Sequence, residues 1–232
     1  MRYLGGKARL ARHIVPVMAV PTDVTYVEPF VGGANVMAAQ SHVRDRIRGD
    51  AHPYLIALHQ AIQDGWDPPT DIDREVYNHV RDNKDMWQAK EVGFVGFCAS
   101  MHGDFFRCFI DKPKDFRQTN HVTYAESGRN VLLKARPKLQ RVRFVCASYD
   151  NLQIPDGAWV YCDPPYAGTV GYSTGAFDHV AFWSWAEKLR ERCKVFVSEL
   201  TAPPGWTTVW EQERSRMGSG SAKRKTVEKL FT

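Results

Sequence analysis

Residues Tyr26–Glu28 form a short apolar run that gives way to Pro29-Phe30-Val31-Gly32-Gly33-Ala34-Asn35, a turn, and then to a helix starting over Val36–Gln40. A strand that enters a glycine loop and then a helix opens a Rossmann-like unit, and it restricts the chain to a sheet with helices packed on its faces. A second strand ends at Arg48-Gly49-Asp50. Pro53–Asp64 has apolar residues at helical spacing and stops before Gly65. After an interruption the alternation resumes. Val142–Cys146 and Trp159–Cys162 read as strands. Asp178–Arg192 reads as a helix with Val180, Trp183 or Ala186, and Leu189 along one face, and Lys194–Ser198 as another strand. Thr207–Trp210 and Thr226–Phe231 are weaker strands that suit an edge hairpin. The expectation is an α/β fold: a Rossmann-like, mostly parallel sheet with helices on both faces and an antiparallel edge.

The interruption has a different character. Asp67-Pro68-Pro69 breaks the chain, and Arg74–Lys90 reads as one amphipathic helix. Glu91–Ile110 is rich in Gly, Phe and Cys without a clean period. Asp111–Gln118 is polar and loop-like, and Gly128–Gln140 is helical up to the limit set by Pro137. Residues 66–143 are therefore read as an inserted, mostly helical subdomain, and residues 1–65 and 144–232 as the main domain. Charge divides along similar lines. Between Arg74 and Ala147 there are 14 Lys and Arg against 8 Asp and Glu, whereas the remainder has 17 against 18. A basic segment is the footprint of a nucleic-acid binder or simply a solvated surface, and charge alone does not separate the two.

The chain's 232 residues suffice for one core with an inserted subdomain. No apolar run approaches the roughly 18 residues of a membrane span; Ile14–Val20 is short and carries Pro16. No secretory signal pattern is present, so a cytoplasmic protein is expected. Five scattered cysteines suit reduced, mostly buried thiols, and no spacing among cysteines and histidines suggests a metal.

The chemistry-bearing motif is Asp163-Pro164-Pro165-Tyr166, which follows a strand and so falls at the carboxyl end of the sheet, where open α/β folds place ligands. An exocyclic amine is a poor nucleophile because its lone pair conjugates with the ring. Methylating it needs acceptors for its two N–H groups. Asp163 supplies a carboxylate oxygen, Pro164 a backbone carbonyl, and two prolines stiffen the loop. Tyr166 offers an aromatic face on which a base can stack. Read without context, the same four residues are a turn after a strand. Gly32 and Gly33 allow close approach of a ligand, and their spacing is not that of a dinucleotide fingerprint. Asp50, at the end of the next strand, suits a ribose diol or else the N-cap of the following helix. Lys7, after Gly5-Gly6, suits an anion such as the carboxylate of a methionine moiety, or is a surface charge.

Taken in order, these motifs resemble the Dam-type, class alpha (D12) adenine-N6 DNA methyltransferases, particularly short phage and prophage members. Tyr3-Leu4-Gly5-Gly6-Lys7 is similar to the family's N-terminal aromatic-x-G-G-K, and Glu28–Gly33 to its cofactor loop. Asp50 is similar to its ribose-binding acid, and Asp163–Tyr166 to its catalytic tetrapeptide. Phe177–Leu189, Val195–Glu199 and the tail from Lys223 to Phe231 are similar to its later segments. The resemblance implies S-adenosylmethionine as cofactor, held by Tyr3, Lys7, Glu28, Phe30, Gly32, Asp50, Ser148, Tyr149 and Asp163. It implies catalysis by Asp163, Pro164, Pro165 and Tyr166 with no metal, and a duplex DNA partner whose target adenine is flipped out of the stack. The insertion would then be the target-recognition part, with Arg107, Lys112, Lys114, Arg117 and Arg129 as candidate DNA contacts. Gly93-Phe94-Val95-Gly96 follows the family's G-F-N-G outline with Val95 where Asn is usual, so a GATC target is not carried over. A monomer or weak dimer is expected. Methylation of cytosine N4, a catalytically decayed DNA-binding relative, and an RNA or small-molecule methyltransferase are the other readings. Asp163 and the motif order weigh against the first, and the intact Asp163–Tyr166 and Asp50 against the second. The basic insertion favours a polymer without separating DNA from RNA.

Overall fold

The computed structural model describes residues 3–110, 122–166, 177–217 and 223–232. Seven strands form one sheet in the order β3-β2-β1-β4-β5-β7-β6. Strands β1 (Thr25–Glu28), β2 (Asp45–Asp50), β3 (Val142–Cys146), β4 (Trp159–Cys162) and β5 (Lys194–Glu199) run parallel. β6 (Thr208–Met217) and β7 (Lys223–Phe231) form an antiparallel pair, and β7 joins the sheet against β5. The expected mostly parallel sheet with an antiparallel edge is what forms.

Alternation along each strand sends side chains to two different layers. Tyr26, Tyr161, Phe196 and Leu230 meet helices α1 (Ala11–Met18) and α2 (Asn35–Ala39). On the same side, α3 (Pro53–Gln63) covers β2 and β3, with Phe144 packed against its cluster. Val27, Ile47, Val160, Val195 and Val197 face the other way, onto α7 (His179–Arg190). α7 is capped by Asp178, whose carboxylate accepts the Ala181 N–H. Its buried face is Phe182, Ala186 and Leu189; Val180, expected on that face, is 82% exposed. Two residues before Phe182, and so on the opposite side of the helix from it, Val180 cannot reach the sheet.

The inserted segment differs from its sequence reading in two places. Arg74–Lys90 is not one helix. α4 (Arg74–Asp82) stops at Asn83, whose side-chain amide donates to the His79 carbonyl, and a short 3-10 turn over Lys84–Met86 follows. Glu91–Ile110, which showed no period, holds most of α5 (Ala89–Cys98), started by a capping box between Gln88 and Glu91. α6 (Tyr124–Ala135) ends in a 3-10 turn at Arg136–Leu139, where Pro137 was expected to limit it. α5 and α6 share a core with α3: Leu55, Leu58 and Ile62 pack with Phe94, Phe97 and Leu132. The segment is thus joined to the sheet's helical layer through this shared core, beside a smaller cluster of its own made by Tyr77, Val80, Val92, Val95 and Ala99. No helix among the described residues is long and apolar enough to cross a membrane, and no group of three His, Cys, Asp or Glu among them is placed to hold a metal.

Candidate active site

The strand order reverses between β1 and β4, and a crevice opens there beyond the carboxyl ends of the parallel strands. A cavity of about 250 Å³ occupies it. Its walls come from the end of β1 (Glu28), the glycine loop, the end of β2 (Asp50), the segment after β3 (Ser148, Tyr149) and the segment after β4 (Asp163, Pro165). Tyr3 and Lys7 close one side. All nine residues expected to hold a cofactor line this one cavity: Tyr3, Lys7, Glu28, Phe30, Gly32, Asp50, Ser148, Tyr149 and Asp163.

The glycine loop is pinned by its neighbours. Gly32 has φ +44°, and a Cβ there would stand 3.0 Å from the Tyr3 ring, so both conformation and space require glycine. Its N–H donates to Asp50 Oδ2 at 3.1 Å, and its carbonyl accepts from His59 Nε2 at 2.9 Å. His59 is pushed down to about 3 by burial and the nearby Arg48, so the ring is neutral and its Nε2 carries the proton that this bond needs. Arg48, fully buried on β2, donates to the Ala34 carbonyl at the loop's far end.

Asp50 is not the cap of α3, whose N-cap is His52 with no side-chain cap bond. Its Oδ1 accepts the His52 N–H at 3.0 Å and its Oδ2 the Gly32 N–H. A carboxylate has about four lone-pair sites, so two remain for a ligand. Burial raises Asp50 to about 6, against the pull of these two N–H groups. Glu28 is raised further, to about 7: burial outweighs Arg48 and the hydrogen bond from Tyr26 at 2.9 Å. On the other side, Phe30 stacks on Tyr149 with centroids 5.4 Å apart and meets Phe177 edge-on, making an aromatic wall.

Asp163 emerges from β4 into the cavity. Burial raises it to about 6, opposed by Lys7 and reinforced by Glu228 and Glu199. Lys7 Nζ lies 2.6 Å from Asp163 Oδ1 and 3.1 Å from Glu228 Oε1, and it donates to the Gly5 carbonyl at 3.3 Å. Its three protons are thus directed at protein oxygens, where the sequence suggested the carboxylate of a methionine moiety. Tyr166 is also placed differently from expectation. Its hydroxyl donates to Glu228 Oε1 at 2.6 Å and contacts Ser198 Oγ at 3.1 Å, and Lys7 Nζ sits 4.5 Å above its ring. Buried in this way, Tyr166 does not offer the cavity a stacking face; nor does Pro164 wall it, whereas Pro165 does.

Among the described residues, sequence reasoning missed several contributors, including His52 and Phe97 on the cavity wall. Gly103, Asp104 and Phe105, from the insertion, form part of the cavity wall, with Phe105 edge-on to His52 at 4.4 Å. Glu228, from β7, was missed as well; it reaches the site through Lys7. Of the expected DNA contacts, Arg107 is 65% exposed with Asp104 3.7 Å away. Arg129 instead binds Asp67 through two nitrogens and also the Pro68 carbonyl, so it braces the start of the insertion. Lys112, Lys114 and Arg117 lie outside the described residues.

Residues 3–201 match the family of D12 class N6 adenine-specific DNA methyltransferases. The chain is also similar to the type II methyltransferase M.FokI of Planomicrobium okeanokoites, 25% identical over 75% of this chain and 30% of that protein. It is similar to the retron Ec67 DNA adenine methylase of Escherichia coli, 28% identical over 68% of this chain and 61% of that one. A DNA adenine methylase of Vibrio cholerae serotype O1 is 25% identical over 72% of this chain and 64% of its own length. The chain thus spans less than two thirds of each relative.

Proposed function

Because the chain belongs to the family of D12 class N6 adenine-specific DNA methyltransferases, we propose that it transfers a methyl group from S-adenosylmethionine to N6 of adenine in duplex DNA. The observation that carries this reading is the Asp163 carboxylate, set on the cavity wall at the end of β4 beside Asp50 and the glycine loop. That two of the relatives are DNA adenine methylases supports the choice of base.

The residues present fit the cofactor. Asp50 keeps lone pairs for two ribose hydroxyls, and the Phe30–Tyr149 wall suits a purine ring. When bound, S-adenosylmethionine supplies an electrophilic methyl on a sulfonium. Asp163 accepts one N6–H of the flipped adenine, and the Pro164 carbonyl is the second acceptor that this reading requires. As the N–C bond forms, nitrogen becomes positive, and the ionised Asp163 both stabilises that charge and takes the departing proton. Residues 1–65 and 144–232 form the catalytic part in this reading, and residues 66–143 the part that meets DNA. Arg107, 65% exposed, is the candidate contact to phosphate or base in this reading. Extrusion of the base is needed because N6 cannot reach a buried carboxylate while stacked.

The test is to incubate the protein with labelled S-adenosylmethionine and unmethylated DNA of high site diversity, digest, and identify the nucleoside by mass. N6-methyladenine is expected, and its absence overturns the proposal. Asp163→Ala should lower transfer by at least about 10²-fold with DNA binding retained; full activity in that variant removes Asp163 from its role.

A further inference from the structure

β7 is the sheet's latest contribution in sequence and lies apart from the glycine loop and the tetrapeptide, yet one of its side chains reaches the transfer site. Being antiparallel to β5, it passes the carboxyl end of that strand at Lys229, opposite Glu199, which brings Glu228, one residue earlier, level with the cavity. Glu228 is 2% exposed and Lys7 5%, and their burial weakens solvent screening of the 3.1 Å pair. The same Glu228 oxygen accepts the Tyr166 hydroxyl, which in turn accepts from Ser198 because a phenol has only one proton to give. Glu228 is thus oriented from β4's loop and from β5 before it touches Lys7.

We propose that Glu228 is a positioning residue of the transfer site, one that holds Lys7 between itself and Asp163 and so sets where the Asp163 carboxylate points and how much of the ammonium's charge it receives. The inference rests on the methyl-transfer reading only for its kinetic consequence; the geometry stands without it. A lysine paired with Asp163 alone would neutralise the group that must stabilise a positive nitrogen and then accept its proton. Shared between two carboxylates, a single ammonium leaves one net negative charge on the trio. Glu228 itself does not wall the cavity, so it is not the proton acceptor. The proton that leaves N6 passes to an Asp163 oxygen and from there to water.

Other groups face Asp163 as well. Glu199 on β5 adds negative charge, and Glu28 on β1, raised to about 7, does so only above that pH; Tyr161 and Cys162 on β4 and Tyr166 are neutral neighbours whose ionisation is pushed up. Burial is the largest influence on Asp163, with Lys7 opposing it and Glu228 the first of the carboxylates that reinforce it.

Glu228→Gln tests this, because it keeps the shape and an acceptor for Tyr166 while removing the charge. Two measurements are made on the purified chain. The carboxyl titration of Asp163 is followed by infrared difference spectroscopy, its band identified by subtraction of Asp163→Asn. The pH profile of single-turnover methylation is recorded in parallel. In Glu228→Gln the Asp163 titration and the acid limb of the rate both move down by about one pH unit. The plateau rate falls about tenfold while KM for both substrates holds. Glu228→Asp, which keeps the charge, recovers most of the plateau and returns the limb towards the parent position. An unmoved Asp163 titration in folded Glu228→Gln overturns the proposal. So does a loss of activity in both variants that tracks loss of folded protein. A parent chain that yields no N6-methyladenine sinks the methyl-transfer reading instead, and the infrared shift then still decides the placement of Glu228.

Discussion

At the scale of single residues, what a strand end does is readable from sequence and what partner it finds is not. Asp50 and Asp163 each follow an apolar or alternating strand, and the carboxyl end of a parallel strand faces the crevice whatever the rest of the chain does. Both stand on the cavity wall. Lys7 was legible as a site residue, but its partner was not: Glu228 lies more than 200 positions away, and nothing in either segment marks the pair. Tyr166 was misplaced for the same reason, since a hydrogen bond across 62 residues turns its ring into the sheet. Asp50 gives a direct residue-scale prediction. Asp50→Asn retains one acceptor for the loop N–H groups but loses the charge that would strengthen two bonds to ribose hydroxyls. Charge-assisted bonds contribute about 1.5–3 kcal/mol each. KM for S-adenosylmethionine should therefore rise by at least about tenfold, with kcat changed much less, because ribose contacts are the same before and during transfer. Steady-state kinetics with saturating DNA checks this, and an unchanged KM removes Asp50 from the cofactor's binding set.

At the scale of elements, periodicity found helices with one wet face where no proline interrupts them, missed α1, whose apolar face is broken by Pro16, and failed where a helix has no wet face. α3 and α7 were found within a residue or two. α5 was invisible because Val92 through Cys98 are all buried, and a helix apolar all round carries no stripe. Its start was marked by Gln88-x-x-Glu91, a capping pair that the reading of one long helix ran through. β2 is a similar case: Asp45-Arg46-Ile47-Arg48 looks too polar for an interior strand, yet Arg46 is spent on the Lys138 and Gln140 carbonyls and Arg48 on Ala34. Gly93 tests the packing of α5. A Cβ there would stand 2.2 Å from the Tyr54 carbonyl oxygen of α3, a backbone atom that cannot swing aside. Helix propensity favours alanine by about 1 kcal/mol, while overpacking costs about 1–3 kcal/mol. A contact this short puts the balance on the losing side. Gly93→Ala should lower Tm by roughly 2–6 °C, given about 2–4 °C per kcal/mol for a chain of this size. A thermal melt decides the sign, and a Tm that rises would mean that α5 does not lie so close to α3.

At the scale of the whole molecule, the basic middle third overstates the DNA footprint. Arg129 and Arg136 hold the Asp67 carboxylate and the Ile62 and Trp66 carbonyls, and so serve the fold. The buried titratable groups matter more for the protein's behaviour with pH, and they fall into two opposing sets. Glu28, Asp50 and Asp163 are raised by burial to about 7, 6 and 6. Their protons stay on in the folded chain where the unfolded chain has shed them, so their stabilising contribution is full below about pH 4 and is lost as pH rises through 6 to 7. His52 and His59 are lowered by burial to about 4 and 3. Their contribution is full above the ordinary value of 6.5 and is lost as pH falls below it. Over about pH 5–7 the unfolded chain gains protons on two imidazoles while the folded chain keeps them on three carboxylates, so the slopes largely cancel. Transfer has no such compensation, because Asp163 must be ionised to stabilise the nitrogen and take its proton. The rate should therefore fall with unit slope below about pH 6, while Tm stays within about 5 °C between pH 5 and 7. Both are measured on one preparation, by single-turnover kinetics and by thermal melts at matched ionic strength. If Tm collapses alongside the rate, the acid limb reports unfolding rather than protonation of Asp163. A rate independent of pH down to about 5 would mean that the carboxylate beside Lys7 is ionised far below where its burial places it.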